Sequence, residues 1–191
     1  MTALKRPVSL SVEEYLAGEE LAETKHEYLG GAIHAMAGAT NRHNNIAMNS
    51  LGVLFGKLRG KHCQPFNSDT KVRIEYPDHV RFYYPDAMVV CQGNPESDHF
   101  QNQPVVVIEV LSESTRRTDM GEKRDAYLTI PSLKALLLVE SDKSSVTVYR
   151  RKPEGGFSCE LHEGLESVIP LPEIEAELPL AEIFERVEFT G

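Results

Sequence analysis

Glu109 stands in the middle of Val105-Val106-Val107-Ile108-Glu109-Val110-Leu111, an otherwise apolar, β-branched run that reads as a central strand buried on both faces. Stripping a carboxylate of its hydration costs on the order of several kcal/mol unless a metal, a cation or hydrogen bonds replace the water. Upstream, Tyr83-Tyr84-Pro85-Asp86 opens a second strand-like run, Asp86-Ala87-Met88-Val89-Val90-Cys91, so two acids are expected on neighbouring strands. Alternation puts Glu109 and Leu111 on one face of their strand and Asp86, Met88 and Val90 on one face of the other. Two such carboxylates suit Mg²⁺ or Mn²⁺, a hard cation that takes oxygen ligands, keeps several waters and accepts phosphate oxygens. A lysine nearby would orient a metal-bound water and offset charge building on a phosphorane. Asp119, Lys123 and Tyr127 fall at i, i+4 and i+8 of a predicted helix, on one face, so Lys123 can point back toward Glu109. Lys71, in Thr70-Lys71-Val72-Arg73, is the second candidate amine.

Duller readings compete. Asp86 after Pro85 can end a turn, Lys123 can be a solvated helix lysine, and Glu27 can be a surface strand residue. Asp119-x-x-Glu122 has the pattern of a capping box, which favours a helix N-cap over catalysis for Asp119. Glu109 alone has no inexpensive alternative, because its neighbours are apolar. Gly52 to Leu58 imitates a phosphate-binding loop but lacks the spacing and the final Ser or Thr, and no Gly-x-Ser-x-Gly elbow occurs. The seven histidines show no metal-ligand spacing, although His43, near a helix start, can approach a phosphate.

The residues Glu27-Tyr28-Leu29-Gly30-Gly31, Tyr84-Pro85-Asp86, Ile108-Glu109-Val110-Leu111-Ser112-Glu113-Ser114-Thr115 and Asp119 with Lys123 and Tyr127 resemble the PD-(D/E)XK nuclease superfamily, within it the Uma-family restriction endonucleases. The resemblance covers most of the chain and implies a restriction-endonuclease-like core. Pro85-Asp86 matches the first acid and Glu109 the second. The pattern places a lysine two residues after the second acid, where this chain has Leu111. In relatives of this kind the lysine can move to the following helix, which makes Lys123 the substitute. The resemblance also implies supporting roles for Glu27, Asp119 and Tyr127, to which the residue reading adds His43 and Lys71 as supporting candidates. The expected function is a Mg²⁺- or Mn²⁺-dependent endonuclease acting on DNA, with a nuclease-like module that binds without cleaving as the alternative. A homodimer would suit double-strand cutting.

The 191 residues and 41% hydrophobic content fit one domain spanning 1–191, of mixed α/β class with flanking helices and added strands. Net charge is −9, which opposes nucleic-acid binding, yet residues 153–191 hold ten Glu and one Arg and account for all of it. That acidic segment is expected on or beside the core, away from the site. The balanced remainder carries the basic clusters Lys57 to His62, Arg116-Arg117 and Lys123-Arg124. No apolar run approaches membrane-spanning length and residues 1–20 lack the apolar stretch of a signal peptide, so a cytoplasmic protein without membrane contact is expected. Cys63, Cys91 and Cys159 are odd in number and far apart, so buried free thiols are expected.

The elements that must position the acids follow from local patterns. Ser11-x-x-Glu14 predicts a capped helix to about Ala22, and Glu27 to His34 a hairpin around Gly30-Gly31. Ala47, Leu51, Leu54 and Leu58 predict a helix from Asn41 to about Arg59. Strands are expected at Cys63 to Phe66, Thr70 to Glu75, Val80 to Cys91 and Val105 to Leu111, forming a sheet. A helix from Asp119 to about Thr129, a hairpin of Lys134 to Glu140 with Ser145 to Arg151, and a helix starting at Pro179 complete the reading.

Overall fold

A computed structural model of the chain describes residues 9–189. Helix α1 (Val12–Glu19) starts at Ser11, whose hydroxyl accepts from the Glu14 N–H at 3.1 Å while the Glu14 carboxylate accepts from the Ser11 N–H at 2.8 Å. The reciprocal bonds satisfy two donors that a helix start leaves unpaired. Strands β1 (His26–Leu29) and β2 (Ala32–Ala35) form the expected hairpin. Gly30 and Gly31 turn it at φ of 58° and 105°, a left-handed conformation that a side chain would strain. Helix α2 (Asn41–Leu58) is capped by the Thr40 hydroxyl and buries Ile46, Ser50, Leu54 and Leu58.

Four strands follow: β3 (Gln64–Asn67), β4 (Lys71–Glu75), β5 (Val80–Tyr83) and β6 (Ala87–Val90). After β7 (Phe100–Gln101) comes the long β8 (Pro104–Leu111) that carries Glu109. The crossover consists of α3 (Arg116–Thr118), a π-helical turn over Asp119–Lys123, and α4 (Arg124–Leu128). Strands β9 (Ala135–Glu140), β10 (Ser145–Arg151), β11 (Phe157–Glu163), β12 (Val168–Leu171) and β13 (Ala176–Pro179) precede α5 (Leu180–Ile183).

The single expected sheet is in fact three. One has the order β2-β1-β5-β4-β7, a second β11-β10-β9-β8-β6-β3, and the third is the β12-β13 hairpin. The run from Val80 to Cys91 is two strands in two different sheets, with Tyr84-Pro85-Asp86 as the crossing point. Proline lacks the N–H a ladder needs, so pairing breaks there and the chain changes sheet. Strand β6 pairs antiparallel with β8, Ala87 opposite Ile108, and β8 pairs parallel with β9, Glu109 opposite Leu138. The two acids therefore do come from adjacent strands.

Alternation divides β8 between two cores. Val106, Ile108 and Val110 face α2, β13 and α5, while Val107 and Leu111 face Val72, Ile74 and Tyr83 of the five-stranded sheet together with Ala126 and Tyr127 of α4. Glu109 lies on this second face. Helix α1 covers the outer side of the five-stranded sheet through Tyr15, Tyr28 and Phe82. Strand β11 of the acidic segment forms one edge of the six-stranded sheet and β3 the other.

The expectation for cysteine is corrected. Cys63 and Cys91 form a disulfide, because β3 and β6 pair with Gln64 opposite Val90 and so bring the flanking cysteines together. Cys159 is free but exposed rather than buried.

Candidate active site

Glu109, at 3% exposure, has one oxygen met by both a hydroxyl and an ammonium. The Tyr127 hydroxyl donates to Oε1 at 2.6 Å, and Lys123 Nζ lies 3.0 Å from the same atom. Strand β1 brings Glu27 to the same ammonium: alternation turns Glu27 and Leu29 toward the inter-sheet core and Tyr28 toward α1. Glu27 Oε1 is 2.9 Å from Lys123 Nζ, although it is out of hydrogen-bond alignment with it and has no other hydrogen-bond partner. Asp119 Oδ1 stands 3.8 Å away on the third side. Three carboxylates from β1, β8 and the π turn thus surround one ammonium.

Asp86 joins from the end of β6. Its Oδ2 accepts from the Val110 N–H at 2.7 Å, taking the place of a strand carbonyl just where β6 begins. His43 Nε2 approaches the same oxygen at 3.3 Å from the first turn of α2. His43 therefore contacts an acid of the site itself.

The electrostatics follow from burial. Desolvation, only partly offset by Lys123 and aided by the charges of Asp86 and Asp119, pushes the Glu109 carboxyl up to about 8. Burial also raises Asp119, against the opposing pull of Lys123 and the Thr115 hydroxyl. Burial works against the charge of Lys123, but Glu109, Glu27 and Asp119 outweigh it and hold the ammonium above the ordinary lysine range. Desolvation lowers His43, and its bond to Asp86 more than reverses this, so its proton affinity is raised.

Among the described residues no three His, Cys, Asp or Glu side chains converge as a ready-made metal cage. The donor set still fits a hydrated cation. Protein donors engage Glu109 Oε1 and Asp86 Oδ2, and no protein hydrogen bond reaches the second oxygen of either acid among the described residues. Two carboxylates with water completing the shell is the arrangement that Mg²⁺ favours.

Other expected residues fall differently. Asp119 is not an N-cap: the helical stretch begins at Arg116, and Asp119 lies inside it with its carboxylate buried. Glu122, the other half of the expected box, accepts instead from Arg81 and Tyr83 of β5. Lys71 is buried on the opposite face of the five-stranded sheet from Glu27, donating to the Tyr84 hydroxyl at 3.2 Å. Strand alternation explains this, since Val72 and Ile74 fill the inter-sheet face.

The family model described as "Putative restriction endonuclease", Uma2, matches residues 12–181. This chain belongs to the Uma2 family. Its curated relatives in Synechocystis sp. include "Uncharacterized protein slr1290", 36% identical over 149 residues that make up 78% of this chain and 77% of that one. A second, "Uncharacterized protein sll1609", is 32% identical over 145 residues, 74% of this chain and 81% of that one. The fold is similar to the crystal structure of "a putative nuclease belonging to DUF820" from Anabaena variabilis, with a TM-score of 0.74 at 18% identity, covering 95% of this chain and 100% of that one. The Uma2 chain thus has a nuclease-like mixed α/β fold.

Two features of this Uma2 site escape a reading of the sequence. Glu140 ends the apolar run Ala135 to Val139, and is buried in a two-pronged pair with Arg116 beside Leu111. A signal related to the one that singles out Glu109, an acid at the end of an apolar strand rather than inside it, was present there too. The Arg81–Tyr83–Glu122 contact had no local signal, because Glu122 lies 41 and 39 residues from Arg81 and Tyr83.

Proposed function

We propose that this protein is a Mg²⁺- or Mn²⁺-dependent endonuclease that hydrolyses phosphodiester bonds in DNA. Membership of a family described as restriction endonucleases and the nuclease-like fold support a nuclease. The single observation that carries the finer reading is the buried Lys123 ammonium, 3.0 Å from Glu109 and 2.9 Å from Glu27. Asp86 and Glu109 would hold the cation, which when bound would polarise the phosphoryl group and lower the pKa of a bound water. Tyr127 fixes Glu109 Oε1, and the Val110 N–H and His43 fix Asp86 Oδ2, so both acids keep one orientation. Lys123 stays protonated, aims the attacking water and offsets negative charge on the phosphorane.

The test is cleavage of plasmid and oligonucleotide DNA with Mg²⁺ or Mn²⁺, against chelator and Asp86→Asn controls. Metal-dependent cleavage lost in both controls is expected. DNA binding without cleavage under either metal would assign a non-cleaving nuclease-like module instead. We further propose a cytoplasmic homodimer, to be checked by fractionation and light scattering. Among the described residues no helix is long and apolar enough to cross a membrane.

A further inference from the structure

The turn that carries Lys123 is not an ordinary α-helical turn. Between α3 and α4 the Arg124 N–H bonds to the Asp119 carbonyl, five residues back, and Gly121 leaves helical dihedrals at φ −113° and ψ −105°. Wide turns of this kind inside helices often accompany functional sites, because the extra residue re-aims the side chains around it. Here Asp119 and Lys123 point into the site, while Glu122, next to Lys123, points to β5.

Glu122 Oε1 accepts from Arg81 NH1 at 2.8 Å and from the Tyr83 hydroxyl at 2.9 Å, and Arg81 NH1 lies 3.2 Å from that same hydroxyl. The three groups close a triangle of hydrogen bonds. Arg81 is itself fixed from behind, donating Nε to His79 at 3.2 Å and lying 5.1 Å over the Tyr76 ring. Tyr83, fully buried, does more than bond Glu122. Its ring faces the Lys123 ammonium at 5.7 Å and meets the Tyr127 ring edge-on at 5.6 Å. The tether thus ends on the two side chains that contact Glu109. Glu122 is about half exposed, so burial of its own surface does not explain the contact.

We infer that Glu122, through Arg81 and Tyr83, is a positioning residue that holds the π turn in the register from which Lys123 reaches Glu109 and Glu27. A freed turn can relax toward α-helical hydrogen bonding, which rotates Lys123 relative to Glu109. Misplacement of a reacting group by about 1 Å can cost about 10²-fold in rate. The consequence for catalysis rests on the nuclease reading above; the consequence for the geometry does not.

Glu122→Ala, Glu122→Gln and Tyr83→Phe are made singly and combined with Lys123→Ala, and cleavage is measured under saturating Mg²⁺. Glu122→Ala and Tyr83→Phe are expected to lower kcat at least about tenfold, leaving KM and Mg²⁺ affinity within about twofold. Glu122→Gln, which keeps an acceptor, restores part of the rate. In the Lys123→Ala background the same changes add less than about twofold, because a tether acting through Lys123 has nothing left to aim. Equal losses with and without Lys123 would show a general structural role and overturn the inference. A second arm needs no cleavage: side-chain NMR of Lys123 in the metal-free protein reads the hydrogen exchange of its buried ammonium. Glu122→Ala should speed that exchange at least about tenfold relative to wild type, and unchanged exchange overturns the inference. If wild type cuts no DNA, the nuclease reading fails while this arm still decides the tether.

Discussion

Lys123 Nζ lies 3.0 Å from Glu109 Oε1, although fourteen residues separate them and Leu111 holds the position two residues after the acid. Leu111 faces the same inter-sheet core as Glu109 and fills the space beside it with hydrocarbon. The crossover helix supplies the charge in its place. Burial makes that contact consequential: with both groups almost inaccessible, removing Lys123 leaves Glu109 only the Tyr127 hydroxyl, and removing Glu109 leaves Lys123 only Glu27 and Asp119.

Lys123→Ala is expected to cut the cleavage rate by about 10²-fold or more, as loss of an electrostatic stabiliser typically does. It should also destabilise the metal-free protein by about 3–5 kcal/mol above about pH 8, where Glu109 is charged and loses its cation together with Glu27 and Asp119, and by less near neutral pH, where Glu109 carries a proton. Lys71→Ala, on the far face of the five-stranded sheet, should leave the rate within a few-fold of wild type. Parallel kinetics and urea unfolding check both, and full activity in Lys123→Ala would remove the lysine from the mechanism.

The raised proton affinity of Glu109 gives a pH signature with a definite sign. Its carboxyl shifts from an ordinary 4.5 to about 8 on folding, so the folded state binds the proton more tightly. The stability this confers is fully present below the unfolded value and is lost as pH rises through about 8. Unfolding midpoints of the metal-free protein, taken as wild type minus Glu109→Gln, should therefore decline between about pH 5 and about pH 8. A flat difference would place Glu109 in an ordinary, solvated environment. Mg²⁺ competes with that proton, so its affinity should climb over the same interval.

Asp86 separates a structural from a chemical role. Asp86→Asn keeps an acceptor for the Val110 N–H and should stay within about 1 kcal/mol of wild-type stability while abolishing cleavage. Asp86→Ala strands that N–H and should cost about 1–3 kcal/mol. Equal stability of the two variants would mean that the bond to Val110 contributes nothing.

Tyr127→Phe removes the 2.6 Å bond to Glu109, which favours the charged carboxylate. The Glu109 proton affinity should rise further, moving the ascending limb of the pH–rate profile to higher pH. An unshifted profile with a lower plateau would assign Tyr127 to packing alone.

DNA binding should weaken as salt rises, because phosphates that meet Lys and Arg release counterions. Affinity independent of salt would point to a protein partner. A fluorescence titration at several salt concentrations distinguishes the two.

Much of the local structure was legible in the sequence because it depends on neighbours. The capping box at Ser11 and Glu14, the Gly30-Gly31 hairpin, the helix face of Leu54 and Leu58 and the hairpin of β9 with β10 are each contained within one short segment. Glu109 was equally local: a carboxylate between Ile108 and Val110 signals its own desolvation, and the structure buries it. The sheet-changing step at Pro85, the strands β11 to β13 and the internal place of Asp119 were not legible. Each depends on what packs from elsewhere.

Sequence by itself thus determined that Glu109 is out of place in an apolar strand, and that a metal, a cation or hydrogen bonds had to compensate it. Only the tertiary structure decided which lysine does so. Along the chain Lys123 ranks first and Lys71 second without either being placed; β4 turns Lys71 to the outer face of its sheet while the π turn, tied to β5 through Glu122, aims Lys123 inward. The Cys63–Cys91 bond was decided in the same way, by the register of β3 on β6. Periodicity fixes the face a residue takes within its own element, whereas the face another element presents to it is set by strand register and core packing between distant segments.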